Sequence, residues 1–171
     1  MVDRHVYITQ IGSGNRATAT QTAPNAYASV HQDGTSNVAT VKQSGVAIAY
    51  ADICQLETAN SAEVTQGGVT AGNMLRATQS GNANTISSSQ TATTGENGAI
   101  LYQQGAANRM TLTQTGGDNL ANLSQTGDNN TMTASQSGSG NRLVWAQQGD
   151  GLSNLAISQS GGQSVMITQK K

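Results

Sequence analysis

Phenylalanine is absent from the 171 residues, and the chain has one proline, one cysteine, one tryptophan and two histidines. The lone thiol, Cys54, cannot close an intrachain disulfide, so no disulfide framework holds the chain together. Charge is scarce as well. Eight Lys and Arg against nine Asp and Glu leave a net charge of −1, too little field to draw in nucleic acid or an anionic membrane surface. No apolar run approaches the ~18 residues that a membrane helix needs. The opening Met1-Val-Asp-Arg-His5 shows no secretory signal: either the chain has none or one was removed ahead of Met1. Leu, Ile and Val together number only 27, whereas Ser, Thr, Asn and Gln number 71. Such a composition points to disorder, but the high net charge that usually accompanies disorder is missing.

What the chain has in abundance is order along its length. Glutamine recurs at positions 10, 21, 32, 43, 55, 66, 79, 90, 103, 114, 125, 136, 147, 159 and 169, and nine of the fourteen intervals are eleven residues. These are Gln10, Gln21, Gln32, Gln43, Gln55, Gln66, Gln79, Gln90, Gln103, Gln114, Gln125, Gln136, Gln147, Gln159 and Gln169. Glycine stands two places after Gln in eleven intervals. Asparagine stands six places before the next Gln in ten: Asn15, Asn37, Asn60, Asn73, Asn84, Asn97, Asn108, Asn119, Asn130 and Asn141. Chance would supply about one such Asn, so the period is the dominant signal in the chain.

Each interval reads Gln-x-Gly-x-x-Asn-x-Φ-x-Φ-x-Gln, where Φ is small or aliphatic. The Asn-to-Gln half alternates with period two, as a strand does, and the Gly half supplies a turn. A helix would have to carry a glycine in its interior in most repeats, which costs up to ~1 kcal/mol each time. Counting back four and two from each Gln gives the inward pairs, from Val6/Ile8 and Ala17/Ala19 through Leu143/Trp145 and Leu155/Ile157 to Val165/Ile167; only Ser88 is polar. Strands this short bury a face only when stacked. The expectation is an all-β fold, a two-sheet β-solenoid of stacked strand-turn-strand rungs of about 22 residues, able to form a cross-β fibre. It spans residues 6–169 as one unit, with tails at 1–5 and 170–171. Strands ending at Gln10, Gln32, Gln55, Gln79, Gln103, Gln125, Gln147 and Gln169 form one sheet, and the seven between them form the other.

Stacking gives the inward amides partners. Each Gln, and each of Asn15, Asn37, Asn60, Asn84, Asn108, Asn119, Asn130 and Asn141, meets its counterpart one rung away in an amide ladder, where Glu would stack like charges. The same register brings Asp52 beside Arg76 and sets Lys42 diagonal to Glu63. The first and last strands, with Val6, Ile8 and Gln10 at one end and Val165, Ile167 and Gln169 at the other, are uncapped edges and the expected subunit-stacking surfaces.

No enzyme chemistry emerges, and no catalytic residue, metal site or cofactor is expected. His5 and His31 stand at neither metal-ligand nor triad spacing with Cys54, which reads as an outward strand position. Gly12-Ser-Gly14 and Gly138-Ser-Gly140 lack the helix and lysine of a phosphate loop. Asp118, Asp128 and Asp150, read as lying in successive turns, offer one carboxylate each, thin ligation for Ca²⁺. A different function is suggested by the outer face of the second sheet, from Thr18/Thr20 through Ser87/Ser89 and Thr111/Thr113 to Thr133/Ser135. This hydroxyl rank resembles ice-binding solenoids, and a passive adhesin could use the same face; Lys42 and Glu63 interrupt it.

The repeat itself resembles that of the curlin family. Gln10-Ile-Gly-Ser-Gly-Asn15-Arg-Ala-Thr-Ala-Thr-Gln21 follows the curlin pattern, as do Gln32 to Gln43, Gln79 to Gln90 and Gln114 to Gln125. Ala23, Glu57 and Ala92 depart from it at the Gly, and Ala26, Ala49, Ser153 and Gln163 at the Asn. The resemblance implies a curli fibre subunit, a functional amyloid of the biofilm matrix that lies outside the bacterial cell and serves adhesion. It implies self-association into a head-to-tail homopolymer, a nucleator or other curlin subunit and a secretion pore as partners, and neither nucleic acid nor membrane insertion. It fits the main subunit or the minor nucleator; the basic end Gln169-Lys-Lys171 is reminiscent of the latter.

Overall fold

Each Asn-to-Gln half becomes a strand because its alternate side chains have somewhere apolar to go, and each Gly half turns the chain through to the opposite sheet. The computed structural model describes residues 3–45 and 47–171. The strands are β1 (Asp3–Ser13), β2 (Arg16–Gln21), β3 (Asn25–Thr35), β4 (Val38–Gln43), β5 (Ile48–Thr58), β6 (Ser61–Gly68), β7 (Asn73–Asn82), β8 (Thr85–Ala92), β9 (Asn97–Ala106), β10 (Arg109–Gly117), β11 (Leu120–Thr126), β12 (Thr131–Ser139), β13 (Arg142–Gln148), β14 (Ile157–Ser160) and β15 (Ser164–Lys170). The odd-numbered strands form an eight-stranded sheet in chain order, and the even-numbered strands form a seven-stranded one. Every pairing is parallel and in register: Gln10 lies opposite Gln32, Gln43 opposite Gln66 and Gln125 opposite Gln147. The molecule is an all-β two-sheet solenoid.

A single thin core runs up the middle. In the early rungs it is built from Ala28, Val30, Ala39, Val41 and Ala51. Later it widens to Leu75, Leu101, Met110, Leu112, Leu123, Met132, Leu143 and Trp145, all buried. Burying a side chain of that size contributes ~1.5–3 kcal/mol, several times what an Ala supplies, so the later rungs carry most of the apolar stabilisation.

Two expectations about boundaries need correction. The first strand begins at Asp3, so Asp3–His5 are paired with Asn25–Tyr27 and are not a free tail; Lys170 likewise pairs, opposite Gln148. Met1 and Val2 of the expected tail lie outside the described residues. Leu155 is not an inward partner of Ile157. It is 48% exposed and precedes β14, which starts only at Ile157, after Ala156 at a φ of 50°. The interval from Gln147 to Gln159 exceeds the usual eleven by a single residue and carries Ser153 at the Asn position, and here the chain enters its strand late.

The other interval irregularities gather on one edge. The intervals after Gln43, Gln66, Gln90 and Gln159, none of them eleven residues, all lead from the seven-stranded to the eight-stranded sheet. On that edge Ala23, Ala26 and Ala49 replace the Gly and Asn of the motif and bury together as a small second cluster.

Candidate functional site

The interior Gln side chains form two continuous columns, one per sheet. Along the first, Nε2 donates to the next Oε1 from Gln10 to Gln32 (2.7 Å), Gln32 to Gln55 (2.7 Å), Gln55 to Gln79 (2.8 Å), Gln79 to Gln103 (3.0 Å), Gln103 to Gln125 (2.8 Å), Gln125 to Gln147 (2.8 Å) and Gln147 to Gln169 (2.9 Å). Along the second, the same bond runs from Gln21 to Gln43, Gln66, Gln90, Gln114, Gln136 and Gln159, at 2.7–2.9 Å. Except in Gln103 and Gln125, the second amide hydrogen of an interior Gln goes to a carbonyl on the facing strand, as from Gln43 to Tyr27 O and from Gln114 to Gly98 O. Both donors and the acceptor of an interior Gln such as Gln114 are thereby used, which removes the ~1–3 kcal/mol that an orphaned buried amide costs.

Asparagine both ladders and closes the turn: Nδ2 of Asn60, Asn84, Asn108, Asn119 and Asn141 donates to Oδ1 of the Asn one rung earlier at 2.8–3.2 Å. Asn60 Nδ2 donates to Leu56 O four residues back (2.7 Å) and to Gly81 O in the next rung (2.7 Å), while its Oδ1 accepts the backbone N–H of Asn84 (3.1 Å). One line of these runs through Asn15, Asn37, Asn60, Asn84, Asn108 and Asn130; the other, on the opposite edge, runs through Asn73, Asn97, Asn119 and Asn141. Each line ends on a substitute: Asn130 Oδ1 accepts from Leu152 N–H and Asn141 Oδ1 from Gln163 N–H.

Between Gly and Asn the backbone is forced into the left-handed region. Ser36, Ala59, Ala83, Ala107, Asp118 and Asn129, each directly before an Asn, have φ of 55–60°. Gly34 has φ +129°, and a Cβ there would collide with Glu57 O of the next rung. Glu57 keeps the left-handed conformation, φ 75°, without being glycine.

The remaining candidates lie outside the amide columns. His31 and Cys54 are neighbours on β3 and β5, and His5 pairs with Asp3 on β1. Burial, and then the Asp52 carboxylate, push the Cys54 thiol up, against a smaller opposing effect of Arg76. Asp118 sits on the other edge from Asp128 and Asp150, which corrects the reading of three successive turns. The latter two serve the backbone of the preceding rung: Asp128 Oδ1 accepts from Ala106 N–H and Asp150 Oδ1 from Asp128 N–H. Among the described residues no three His, Cys, Asp or Glu side chains group as metal ligands. On the hydroxyl face Lys42 Nζ meets Glu63 Oε1 at 3.1 Å, breaking the rank of Thr and Ser.

The outer face of the eight-stranded sheet carries what the motif did not announce. Tyr27 and Tyr50 stack at 4.9 Å with rings 3° from parallel, and Tyr7 leans on Tyr27 at 5.5 Å. Their spacing of about one rung in the sequence was the available signal. Trp145 Nε1 donates to Gln169 Oε1, tying the widest core residue to the last rung.

Both ends of the stack are open. Val6 and Ile8 on β1 are 45% and 44% exposed, and Val165 and Ile167 on β15 are half-buried. Residues 94–127, spanning β9 to β11, match the family model of the curlin associated repeat. That match relates the chain to the curlin family. The curlin spacing of Gln, Gly and Asn continues on both sides of the matched segment. No curated protein and no solved structure matches the chain.

Proposed function

We propose that this chain is a self-assembling structural subunit of an extracellular, curli-like amyloid fibre at the bacterial cell surface, serving biofilm matrix and adhesion. The observation that carries the reading is the pair of open ends. Each terminal strand presents unpaired backbone N–H and C=O groups, alternate apolar side chains and an unfinished Gln column, and among the described residues neither a proline nor a covering element blunts it. A second copy satisfies all three at once, because its strands carry the same spacing. Its partners are then other copies of itself joined head to tail, with a nucleator or other curlin subunit and a secretion pore upstream of assembly.

Dilution of the denatured chain into plain buffer, followed by negative-stain microscopy and fibre diffraction, tests this. The expected result is unbranched fibres with a ~4.7–4.8 Å reflection along the axis. A chain that stays monomeric for days at high concentration overturns the reading.

A further inference from the structure

The two ends of this solenoid do not match by simple translation. Eight strands lie in one sheet and seven in the other, and both terminal strands, β1 and β15, belong to the eight-stranded sheet. If the next copy were only shifted along the axis, β1 would seat on β15. The seven-stranded sheet would then lack one strand between β14 of one copy and β2 of the next. That slot would leave backbone groups unpaired on both strands, expose the half-buried Ala17, Ala19 and Ile157 to water, and interrupt the Gln column of that sheet.

We propose that successive copies are related by a half-turn about the fibre axis, so that β1 of one copy continues the seven-stranded sheet of its neighbour and β2 continues the eight-stranded one. This rests on the self-assembly reading above. With the Gln residues as register marks, Gln10 falls on Gln159, Ile8 on Ile157 and Val6 on Leu155, while Gln21 falls on Gln169, Ala17 on Val165 and Ala19 on Ile167. Every pair matches apolar to apolar or amide to amide. Gln10 and Gln21 each donate to the next rung, and their own Oε1 atoms face the open end; Gln169, whose Nε2 donates to Ser153 O, has a hydrogen left for Gln21, and Gln159 meets Gln10 by turning toward it one of the two hydrogens it gives to Arg142 O and Gln163 O. Translation would satisfy only one of the two columns.

The half-turn also accounts for Leu155. It is exposed beside a strand of only four residues, β14, whereas β1 has eleven. Seating β1 there covers Leu155 with Val6 and provides the template on which residues 153–156 extend β14. Translation leaves Leu155 in water. The joint adds one further consequence: the subunit rise is seven and a half strand spacings, about 36 Å, where translation requires eight, about 38 Å.

Cysteine cross-linking decides between the two joints. On a Cys54→Ser background, the full chain is made with paired outward substitutions, all at exposed positions: Thr9→Cys with Ser158→Cys, Thr20→Cys with Thr168→Cys, and Thr9→Cys with Thr168→Cys. Within one copy each pair lies at opposite ends, so any disulfide is between copies; across a joint, parallel neighbours fall inside the ~4.4–6.8 Å Cα separation that a disulfide spans. After assembly and mild oxidation, the half-turn predicts long ladders on non-reducing gels for the first two pairs and monomer for the third, with every variant forming fibres by microscopy. Fibres in which only the third pair cross-links overturn the half-turn and leave self-assembly standing. Fibres in which no pair cross-links also overturn it, since another strand then fills the joint. Absence of fibres from the Cys54→Ser parent overturns the self-assembly reading, and the joint with it.

Discussion

Asp52 on β5 stands directly opposite Arg76 on β7, its Oδ2 3.8 Å from Arg76 Nε. Only parallel, in-register stacking on one sheet makes this pair, and a slip of one residue would send one of the two side chains into the core. Arg76 is exposed and Asp52 half-buried, and at 3.8 Å the worth of the pair is small. Arg76→Asp is expected to lower stability by no more than ~1 kcal/mol, and the exchanged double variant, Asp52→Arg with Arg76→Asp, to regain most of it, as read from the urea midpoint.

Cys54 reports on the same pair. Because burial and the Asp52 carboxylate raise its pKa, alkylation by iodoacetamide at pH 8 is expected to be slower than that of a free thiol. Asp52→Asn moves the pH profile of alkylation down, and Arg76→Ala moves it up. Identical profiles for the three proteins would contradict this electrostatic account.

Gln114 tests the amide column. Its Nε2 donates to Gln136 Oε1 at 2.8 Å and to Gly98 O at 3.0 Å, so a carboxylate there would face oxygen acceptors in the core. Gln114→Glu is expected to cost ~3–5 kcal/mol at pH 7. The introduced acid has a folded pKa above its unfolded value near ~4.3, so its neutral form is the tolerated one. The deficit is therefore smallest below pH ~4 and grows as the pH rises through the unfolded pKa, in a comparison of denaturation midpoints with the parent.

Ser88 is a defect in the core. It is 3% exposed, stacked between Val64 and Leu112, and its Oγ is the one buried side-chain polar atom without a partner among the described residues. Ser88→Ala is expected to stabilise the solenoid by ~1 kcal/mol by removing the orphaned hydroxyl, and Ser88→Val by more where the neighbours admit the added methyls. A loss of stability in both variants would mean that the hydroxyl is satisfied in solution.

Glu57 and Gly34 are opposed cases in adjacent rungs. Glu57→Gly relieves a left-handed residue at the motif's glycine position and is expected to stabilise by up to ~1 kcal/mol, since the gain exceeds the added freedom of the unfolded chain. Gly34→Ala introduces both the strained conformation and a collision with Glu57 O, and should unfold or unseat that turn. Thermal unfolding of the pair measures both.

The register was legible because two periodicities coincide: alternation within a strand and recurrence of Gln and Asn between strands. Asp52 beside Arg76, and Lys42 diagonal to Glu63, both follow from counting back from Gln. Counting fails at Leu155, which precedes β14 after a turn whose left-handed residue, Ala156, lies beyond it. It says nothing of Asp3–His5, whose backbone pairs with β3 while the Arg4 guanidinium donates to Thr22 O and Ala23 O, or of the left-handed residues before Asn, since Ala59, Ala83 and Ala107 carry no glycine to mark them. It also misses the fork of the Asn15, Asn60, Asn84, Asn108 and Asn119 amides, each of which bonds its own turn and the next rung together.

Each half rung crosses from one sheet to the other through a turn, so within one copy the covalent chain climbs the axis like the wire of a coil spring. Tension along the axis stretches hydrogen bonds, but inside a copy it meets unbroken peptide bonds as soon as those open. At a joint between copies no covalent strand crosses. A fibre of this protein would therefore have its brittle planes spaced one subunit apart, and shearing would yield fragments whose lengths are whole numbers of chains.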